Sequence, residues 1–212
     1  MAKKSQFKLS EETNNRMKDL KVTSKFRASY EHVVEPWSGD EEKDPRYSVQ
    51  MIFPKNDPWV KNVKGVVKDM AVEAFGPNAA KLLRSGKLHN PFRDGDDEFP
   101  DDEVYGGSIF INANGAFVGK KPPGLFNQKL RDIRKMESPE EIFYSGCYAR
   151  AEIKFFPYDR EGGKGIACYL FRVQKLAEGE PLGGGEAVEK VFSEVEMEDD
   201  DADDFEDDDA DF

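Results

Sequence analysis

One stretch of the sequence alternates aromatic and cationic side chains in a pattern that suits contact with a polyanion. In residues 146–158, Tyr148, Phe156 and Tyr158 have the same parity as Arg150 and Lys154. Residues of one parity project from one face of an extended strand. Such a face can bind single-stranded nucleic acid, because cations contact phosphates and each ring that stacks on a base contributes about 1–3 kcal/mol. The pattern alone also fits a second apolar layer that a loop or a partner subunit covers.

Two short motifs have the composition of ligand sites but not the spacing. The Gly-Gly-Lys-Gly run at 162–165 lacks the Gly-x-x-x-x-Gly-Lys-Ser/Thr spacing of a phosphate loop and lies between two predicted strands. It is therefore predicted to be a flexible hairpin turn. The Asp-Gly-Asp-Asp-Glu run at 94–98 lacks the alternating ligands and the sixth-position glycine of a calcium loop. We interpret it as a solvated acidic loop.

Residues that could perform catalysis are scarce. The only two cysteines, Cys147 and Cys168, should lie on adjacent strands, but a turn near residue 162 pairs 147 with about 177. They are therefore predicted to be buried free thiols. The only two histidines, His32 and His89, have no nucleophile or carboxylate at a useful spacing. We predict no catalytic residue, no metal and no cofactor, and so a protein that is not an enzyme.

The elements that must position these residues are mainly strands. Alternation predicts strands over 20–34, 46–53, 146–158 and 166–176, and a hairpin over 107–118 with its turn at Asn114-Gly115. Asp57 and Pro58 open a single long helix, as N-cap and first residue. This pattern predicts a mainly β fold with one or two helices. An OB-fold fits it, as a five-stranded, partly open antiparallel barrel with a helix and long loops inserted. A β-sandwich would have the same number of strands, so the periodicity alone does not decide between the two folds.

The charge of the chain is divided between two parts. The whole sequence has a net charge of -12 from 31 basic and 43 acidic residues, and residues 186–212 alone contain 15 acids and one base. The remaining body is therefore mildly basic, apart from an acidic segment at 94–103. In one interpretation, the body binds an anionic ligand and the acidic tail mimics that ligand. In the other, the tail only increases solubility. The last 16 residues hold 11 acids and should be disordered.

The chain has no segment that predicts a membrane or export signal. No apolar stretch approaches the roughly 20 residues that span a bilayer, and the first residues lack the apolar core of a signal peptide. Two cysteines fit a reducing compartment. We therefore expect a cytoplasmic protein without a membrane partner.

The final hairpin resembles a known family. Phe155-Phe156-Pro157-Tyr158, the following loop, and the strand from Gly165 to Leu176 are similar to the last hairpin of bacteriophage single-stranded DNA-binding proteins. The glycine-rich segment 179–185 and the acidic tail that ends in Asp211-Phe212 are also similar to that family. The order of the opening strand, the second strand and the helix fits the same layout. The acidic segment 94–103 has no place in the family pattern.

The resemblance implies an OB-fold that coats and protects single-stranded DNA during phage DNA replication, recombination and repair. Binding would be independent of sequence, and the location would be the bacterial cytoplasm during infection. The resemblance also implies that the tail contacts replication proteins. A flexible 27-residue tail spans roughly 30 Å, so it could reach the groove and compete with DNA. Double-stranded DNA and a second copy of the chain are further candidate partners. The alternative is an acidic DNA mimic that binds basic proteins.

These expectations assign a role to each candidate residue. We predict an N-terminal arm at 1–19, which is extended or contains a short helix, a DNA-binding OB-fold domain at 20–185 and an acidic tail at 186–212. The residues expected to stack on bases are Tyr148, Phe156, Tyr158, Phe110 and Tyr30. The residues expected to contact phosphates are Lys25, Arg27, Lys120, Lys121, Arg150, Lys154 and Arg172. The tail residues expected to contact partners are Asp207, Asp208, Asp209, Asp211 and Phe212.

Overall fold

A seven-stranded sheet dominates the part of the chain that the computed structural model describes, residues 7–39, 44–160 and 162–182. The strands are β1 (Phe26–Trp37), β2 (Arg46–Pro54), β3 (Arg93–Asp94), β4 (Ser108–Phe117), β5 (Gly124–Phe126), β6 (Tyr148–Arg160) and β7 (Gly163–Ala177). Their order in the sheet is β3-β4-β2-β1-β6-β7-β5. The predicted tail, including its five candidate contact residues, lies outside the described residues.

Five short or medium helices accompany the sheet in the described residues. They are α1 (Glu11–Asp19), α2 (Pro58–Phe75), α3 (Ala79–Arg84), α4 (Gly95–Glu98) and α5 (Pro139–Ile142), with a 3-10 turn at Ile133–Lys135. The long helix begins as predicted, because Asp57 accepts a hydrogen bond from the Val60 amide at 3.0 Å and Pro58 occupies the first turn. No helix in the described part of the chain has the length and apolarity needed to cross a membrane.

The sheet closes on itself because β4 pairs with both β2 and β7. The β4–β7 pairing is parallel, with Ala113 opposite Cys168, and it completes a circuit through β1, β2, β4, β7 and β6. The predicted mainly β class is confirmed, but the prediction of one or two helices is wrong, because the described residues form five. The predicted five-stranded antiparallel barrel is too simple, because β3 and β5 extend the sheet to seven strands and two of its pairings are parallel.

The two faces of β6 separate the core from the outer surface. Ala149, Ala151, Ile153 and Phe155 are buried, as the alternation predicts, and α2 packs against this strand through its own apolar stripe. Each large apolar side chain buried in this way contributes roughly 1.5–3 kcal/mol. Burial of one parity forces the other parity of β6 to face outward.

The predicted hairpin at 107–118 is wrong. The whole segment is one strand, β4, and the Asn114-Gly115 pair lies inside it between β2 and β7. A Cβ at Gly115 would come within 2.6 Å of Pro123 Cγ, so glycine serves a close approach there rather than a turn. The Asn-Gly pair, which predicts a turn from the sequence, therefore reflects a packing requirement instead.

The N-terminal part also differs from the expectation. The first strand begins at Phe26 and not near residue 20, because the preceding segment only bridges β6 through Val22 and Glu152. In the N-terminal segment, the expected short helix is present as α1, which docks on α2 with an ion pair between Arg16 and Asp69 at 2.6 Å.

The run at 94–98, predicted to be a solvated acidic loop, instead forms the end of β3 and helix α4. It covers the outer face of β2 and β4, where Tyr105, Ile52 and Phe110 form a second, smaller core with Phe99 packed against it. Elsewhere, Cys147 and Cys168 are buried free thiols, as predicted.

Candidate nucleic-acid interface

The outer face of β6 and β7 holds a mixed set of rings and cations. On β6, Lys154 and Phe156 are exposed, and Lys154 lies directly opposite Tyr169 of β7. A β-bulge between Glu152 and Ile153 gives β7 one extra residue, so both Phe171 and Arg172 are exposed. The bulge therefore adds a ring to the face without removing a cation.

The part of this face nearest the β6–β7 turn is a groove of about 860 Å³, which we call the aromatic groove. The exposed and half-buried residues of β6 and β7 that line it are Lys154, Phe156, Tyr158, Asp159, Arg160, Tyr169 and Phe171, joined at one side by Phe7 and Lys8. The Phe156 and Phe171 residues are 36 % and 43 % exposed, so both leave surface for a ligand. The Tyr169 and Phe171 rings meet edge to face at 4.9 Å.

Cations accompany the rings of the aromatic groove. The guanidinium of Arg160 lies 5.4 Å from the centre of the Tyr158 ring, within the range of a cation–π contact. The ammonium of Lys154 is on the same face of β6 and is exposed. A polyanion in the groove would thus meet charge and stacking surface together.

Below the aromatic groove lies a smaller depression of about 420 Å³, which we call the arginine patch. Arg150 and Arg172 line it together with Phe126 and Leu130. Both guanidiniums already have partners: Arg150 Nε donates to Gln174 Oε1 at 2.9 Å, and Arg172 Nε is 3.1 Å from Glu152 Oε2. The patch is therefore partly neutralised by the single acid of the β6 outer face.

Two predicted residues meet at the end of β6 but are partly covered. Lys25 Nζ lies 5.1 Å from the centre of the Tyr148 ring, and Gly179 approaches an edge of the same ring. Arg27 donates a hydrogen bond from Nη2 to the Glu180 carbonyl at 2.8 Å. The closing segment 178–182 thus occupies groups that the sequence pattern assigned to DNA.

Phe110 is a clear correction to the predicted stacking set. Its side chain is fully buried, with Tyr105 and Phe99 against its ring and the Arg93 guanidinium 4.7 Å from its centre. The sequence pattern assumed that one face of β4 is exposed, whereas the α4 segment covers it. Phe110 has no free face for a base.

The remaining predicted residues lie apart from the aromatic groove. Tyr30 is 62 % exposed, at an irregular point of β1 where its φ is +40°. Lys120 and Lys121 are exposed in the connection between β4 and β5. None of these three lines the aromatic groove or the arginine patch.

Sequence reasoning missed Tyr169, Phe171 and Arg160. A signal for the first two was present, since Tyr169 and Phe171 have the parity opposite to the buried Cys168 and Leu170. The same alternation that singled out β6 could have been applied to β7.

A second concave region, which we call the mixed-charge cleft, lies between α2, α3 and the β3–α4 segment and measures about 910 Å³. Lys64, Lys68 and Arg84 line one side, and Asp97 and Glu98 are among the carboxylates that line the other. Burial lowers the pKa of Lys64, whose ammonium lies 5.6 Å from the centre of the Phe92 ring. Its cations therefore face acids of the same chain.

Ion pairs tie the acidic wall of the mixed-charge cleft to its surroundings. Arg93 pairs with Glu98, and Lys55 Nζ pairs with Asp94 and Asp96 at 2.5 and 2.7 Å. The hydrogen bond from Lys55 lowers the pKa of Asp96. In the part of the chain that the structure describes, no cluster of three His, Cys, Asp or Glu side chains could hold a metal.

A closed β-sheet circuit with exposed rings and cations on one outer face is typical of proteins that bind single-stranded nucleic acid. The chain belongs to the family described as the Enterobacter phage Enc34 single-stranded DNA-binding protein, whose model matches residues 20–205. This confirms the resemblance seen in the sequence. Members of this family bind DNA and are not enzymes, which agrees with the prediction that this chain is not an enzyme.

Known relatives and structures support the family. Protein p50 of Acyrthosiphon pisum secondary endosymbiont phage 1 is 25% identical over 177 residues, which cover 81% of this chain and 91% of that protein. The Enc34 protein in complex with single-stranded DNA is similar with a TM-score of 0.59 and 26% identity, covering 76% of this chain and 88% of that one. The DNA-binding protein gp2.5 of bacteriophage T7 shares the fold, at 15% identity, a TM-score of 0.54, and coverage of 84% and 96%.

Proposed function

We propose that this protein binds single-stranded DNA in the aromatic groove, without base preference, and coats it during phage DNA replication, recombination and repair. The observation that carries the proposal is the juxtaposition of exposed rings and cations on the outer face of β6 and β7. The similar structure of the Enc34 protein in complex with single-stranded DNA supports the choice of ligand. The host cytoplasm during infection is the proposed place of action.

The groove suits a flexible strand better than a duplex. In a duplex the base faces are stacked on one another, so rings such as Phe156 and Phe171 could not insert between bases without unstacking them. In a single strand each base can stack on a ring, at about 1–3 kcal/mol per base and with little sequence preference. Double-stranded DNA would meet only the cations.

Lys154 and Arg160 would carry most of the phosphate contacts, since they line the aromatic groove together with its rings. Arg150 and Arg172 would extend the path into the arginine patch. There, Arg150 already donates a hydrogen bond to Gln174, and Arg172 already forms an ion pair with Glu152. Each phosphate contact to a single strand adds about 0.7 to the slope of log affinity against log salt. The proposal therefore predicts binding that weakens steeply as salt rises.

We also propose that residues 20–185 form a single OB-type domain and that the acidic tail acts on it. The tail would compete with DNA for the cations of the aromatic groove and would contact replication proteins through its last residues. Residues 186–212 carry 15 acids and one base, which supports competition by charge. The competition would fade with rising salt, as DNA binding does.

Fluorescence anisotropy of a labelled oligo-dT strand tests the proposal. The full chain should bind it with micromolar or tighter affinity, and duplex of the same length should bind more weakly. A variant lacking residues 197–212 should bind the single strand more tightly at low salt. Equal or weaker binding by that variant would contradict competition by the tail. Absence of binding by either protein would contradict the whole proposal and favour an acidic protein that binds basic partners.

A further inference from the structure

A row of two exposed rings with an arginine between them crosses the ends of three strands. Trp37 of β1 lies directly opposite Arg46 of β2, and Arg46 lies directly opposite Phe117 of β4. Residues paired in this way project to the same face of a sheet. Trp37 is 57 % exposed and Phe117 is 46 % exposed. We call these three residues the tryptophan row.

The ring of Trp37 is held in place without being covered. It stacks on the imidazole of His32, with 5.0 Å between ring centres and 16° between planes, and Gly39 approaches its six-membered ring. A stacked neighbour fixes the orientation of the indole, so little side-chain entropy is lost when a further ring stacks on it. Trp37 is therefore a preorganised aromatic surface.

Arg46 supplies the positive charge of the tryptophan row. Its guanidinium lies 4.9 Å from the centre of the Phe117 ring, and Nη2 donates to the Gly115 carbonyl at 3.1 Å. Burial lowers the pKa of Arg46, and the charge of Arg160 lowers it further. In the described residues no carboxylate forms an ion pair with Arg46, so a phosphate there would offset the repulsion between the two guanidiniums.

Arg160 also connects the tryptophan row to the aromatic groove. The same guanidinium lies against Tyr158 of the groove and interacts electrostatically with Arg46 of the row. The end of β4 runs beside β7, where Asn114 lies opposite Tyr169. A strand that leaves the groove at Tyr158 would therefore pass two cations before it reaches Trp37 and Phe117.

We propose that the tryptophan row is a second stacking site for the same DNA strand, in which a base stacks on Trp37 or Phe117 while its phosphate contacts Arg46. This proposal rests on the proposed function, because it extends the path of a strand already bound in the aromatic groove. It predicts that a long strand contacts both sites. A strand of about four nucleotides, the short end of the range for one OB-fold, occupies the groove alone.

Intrinsic fluorescence can test the proposal because the chain has only two tryptophans. Trp59 is 8 % exposed and stacked on Phe53 at 5.2 Å, so a base that reaches the protein surface can quench only Trp37. We expect an oligo-dT of about 16 nucleotides, the long end of that range, to quench the emission of the full chain strongly. A four-nucleotide strand should quench it little, and Trp37→Phe should abolish the quenching by the long strand.

Affinity measured by anisotropy gives an independent readout. Trp37→Ala should weaken binding of the long strand by about 5- to 150-fold, which corresponds to one lost base stack, and should leave the short strand unchanged. Trp37→Phe keeps a ring and should retain most of the affinity. Phe156→Ala in the groove should weaken the binding of both the long and the short strand. If Trp37→Ala fails to fold, Arg46→Gln should flatten the salt slope for the long strand only, by about 0.7.

The outcomes separate this inference from the proposed function. If the long strand binds the full chain tightly but neither quenches Trp37 nor responds to Trp37→Ala, the tryptophan row is not a DNA site and the groove remains one. If neither strand binds at all, both proposals fail. Quenching that depends on protein concentration in the absence of DNA would instead make the row a contact between two copies of the chain, and would overturn the inference.

Discussion

The aromatic groove and the mixed-charge cleft have similar volumes, about 860 and 910 Å³, and both contain several cations. They differ in what faces those cations. In the groove, Lys154 and Arg160 lie beside exposed rings, and Asp159 is the one carboxylate among the described residues of the lining. In the cleft, the lining contains Lys64 and Lys68 together with three carboxylates of the β3–α4 segment, Asp94, Asp97 and Glu98. The comparison shows that a count of basic residues does not locate an anion site. The charge of the groups that face these cations determines whether the binding of a polyanion is favourable.

The largest expected effect concerns Phe110, the ring that the α4 segment covers. Phe110→Ala should lower the free energy of unfolding by about 3–5 kcal/mol, because it empties a fully buried site in the second core. The folded fraction should bind oligo-dT with unchanged affinity. Urea unfolding and anisotropy would measure the two quantities. A variant as stable as the parent chain but weaker for DNA would show that Phe110 is not the structural ring described here.

The matching ring of the aromatic groove should behave in the opposite way. Phe156→Ala should weaken oligo-dT binding by about 1–3 kcal/mol, since one stacking surface is lost. Its free energy of unfolding should fall by less than the roughly 3–5 kcal/mol expected of Phe110→Ala, because 36 % of the Phe156 surface is exposed in the folded chain. Anisotropy at fixed salt gives the affinity, and urea unfolding gives the control. Unchanged affinity would remove Phe156 from the binding face.

The cations of the two regions can be compared by their salt dependence. Lys154→Ala should flatten the slope of log affinity against log salt by about 0.7, the value for one phosphate contact to a single strand. Arg150→Ala should do the same if the strand reaches the arginine patch. Lys68→Ala, an exposed cation of the mixed-charge cleft, serves as the matched control and should leave the slope unchanged. Equal slopes for Lys154→Ala and Lys68→Ala would contradict the distinction between the regions.

The smallest effect should come from removing an acid. Glu152 lies 3.1 Å from Arg172 and 3.5 Å from Lys21, so it neutralises the arginine patch as the carboxylates neutralise the cleft. Glu152→Gln should tighten binding at low salt by up to about fivefold, the equivalent of about 1 kcal/mol for an exposed pair. Glu98→Gln in the cleft, which frees Arg93 in the same way, should have no effect on affinity. Weaker binding by Glu152→Gln would contradict this assignment.

Sequence reasoning identified the outer face of β6, which we propose as the binding face, but it named only half of the rings and cations on β6 and β7 that line the aromatic groove. The alternation of Ala149, Ala151 and Ile153 with Arg150 and Lys154 predicted which parity is buried, and the structure confirms it. Tyr148 has the same parity as Phe156, yet Lys25 and the 178–182 segment lie against it. Parity determines the direction of a side chain, but the segments that pass over it are distant in sequence.

The β7 strand shows a second limit of predicting exposed residues from alternation. The bulge opposite Glu152 and Ile153 makes Phe171 and Arg172 exposed in succession, which breaks simple alternation. Phe110 shows the converse, since both faces of β4 are buried and its apolar residues run without alternation from 109 to 111. Parity indicates the exposure of Phe171, and the apolar run indicates burial on both faces of β4, but neither pattern shows where the bulge falls or which segment covers Phe110. Both depend on which strands and loops are neighbours.

The sequence by itself determined the mainly β class, the start of the long helix at Asp57-Pro58 and the inner face of β6. These follow from local periodicity and capping, which act within a few residues. Only the tertiary structure decided that the sheet closes through β4 and β7, and that Phe110 lies inside. It also decided that Trp37, Arg46 and Phe117 form one row, although 80 residues separate the ends of that row in the sequence. Pairing between distant strands brings such residues together, and no local pattern encodes it.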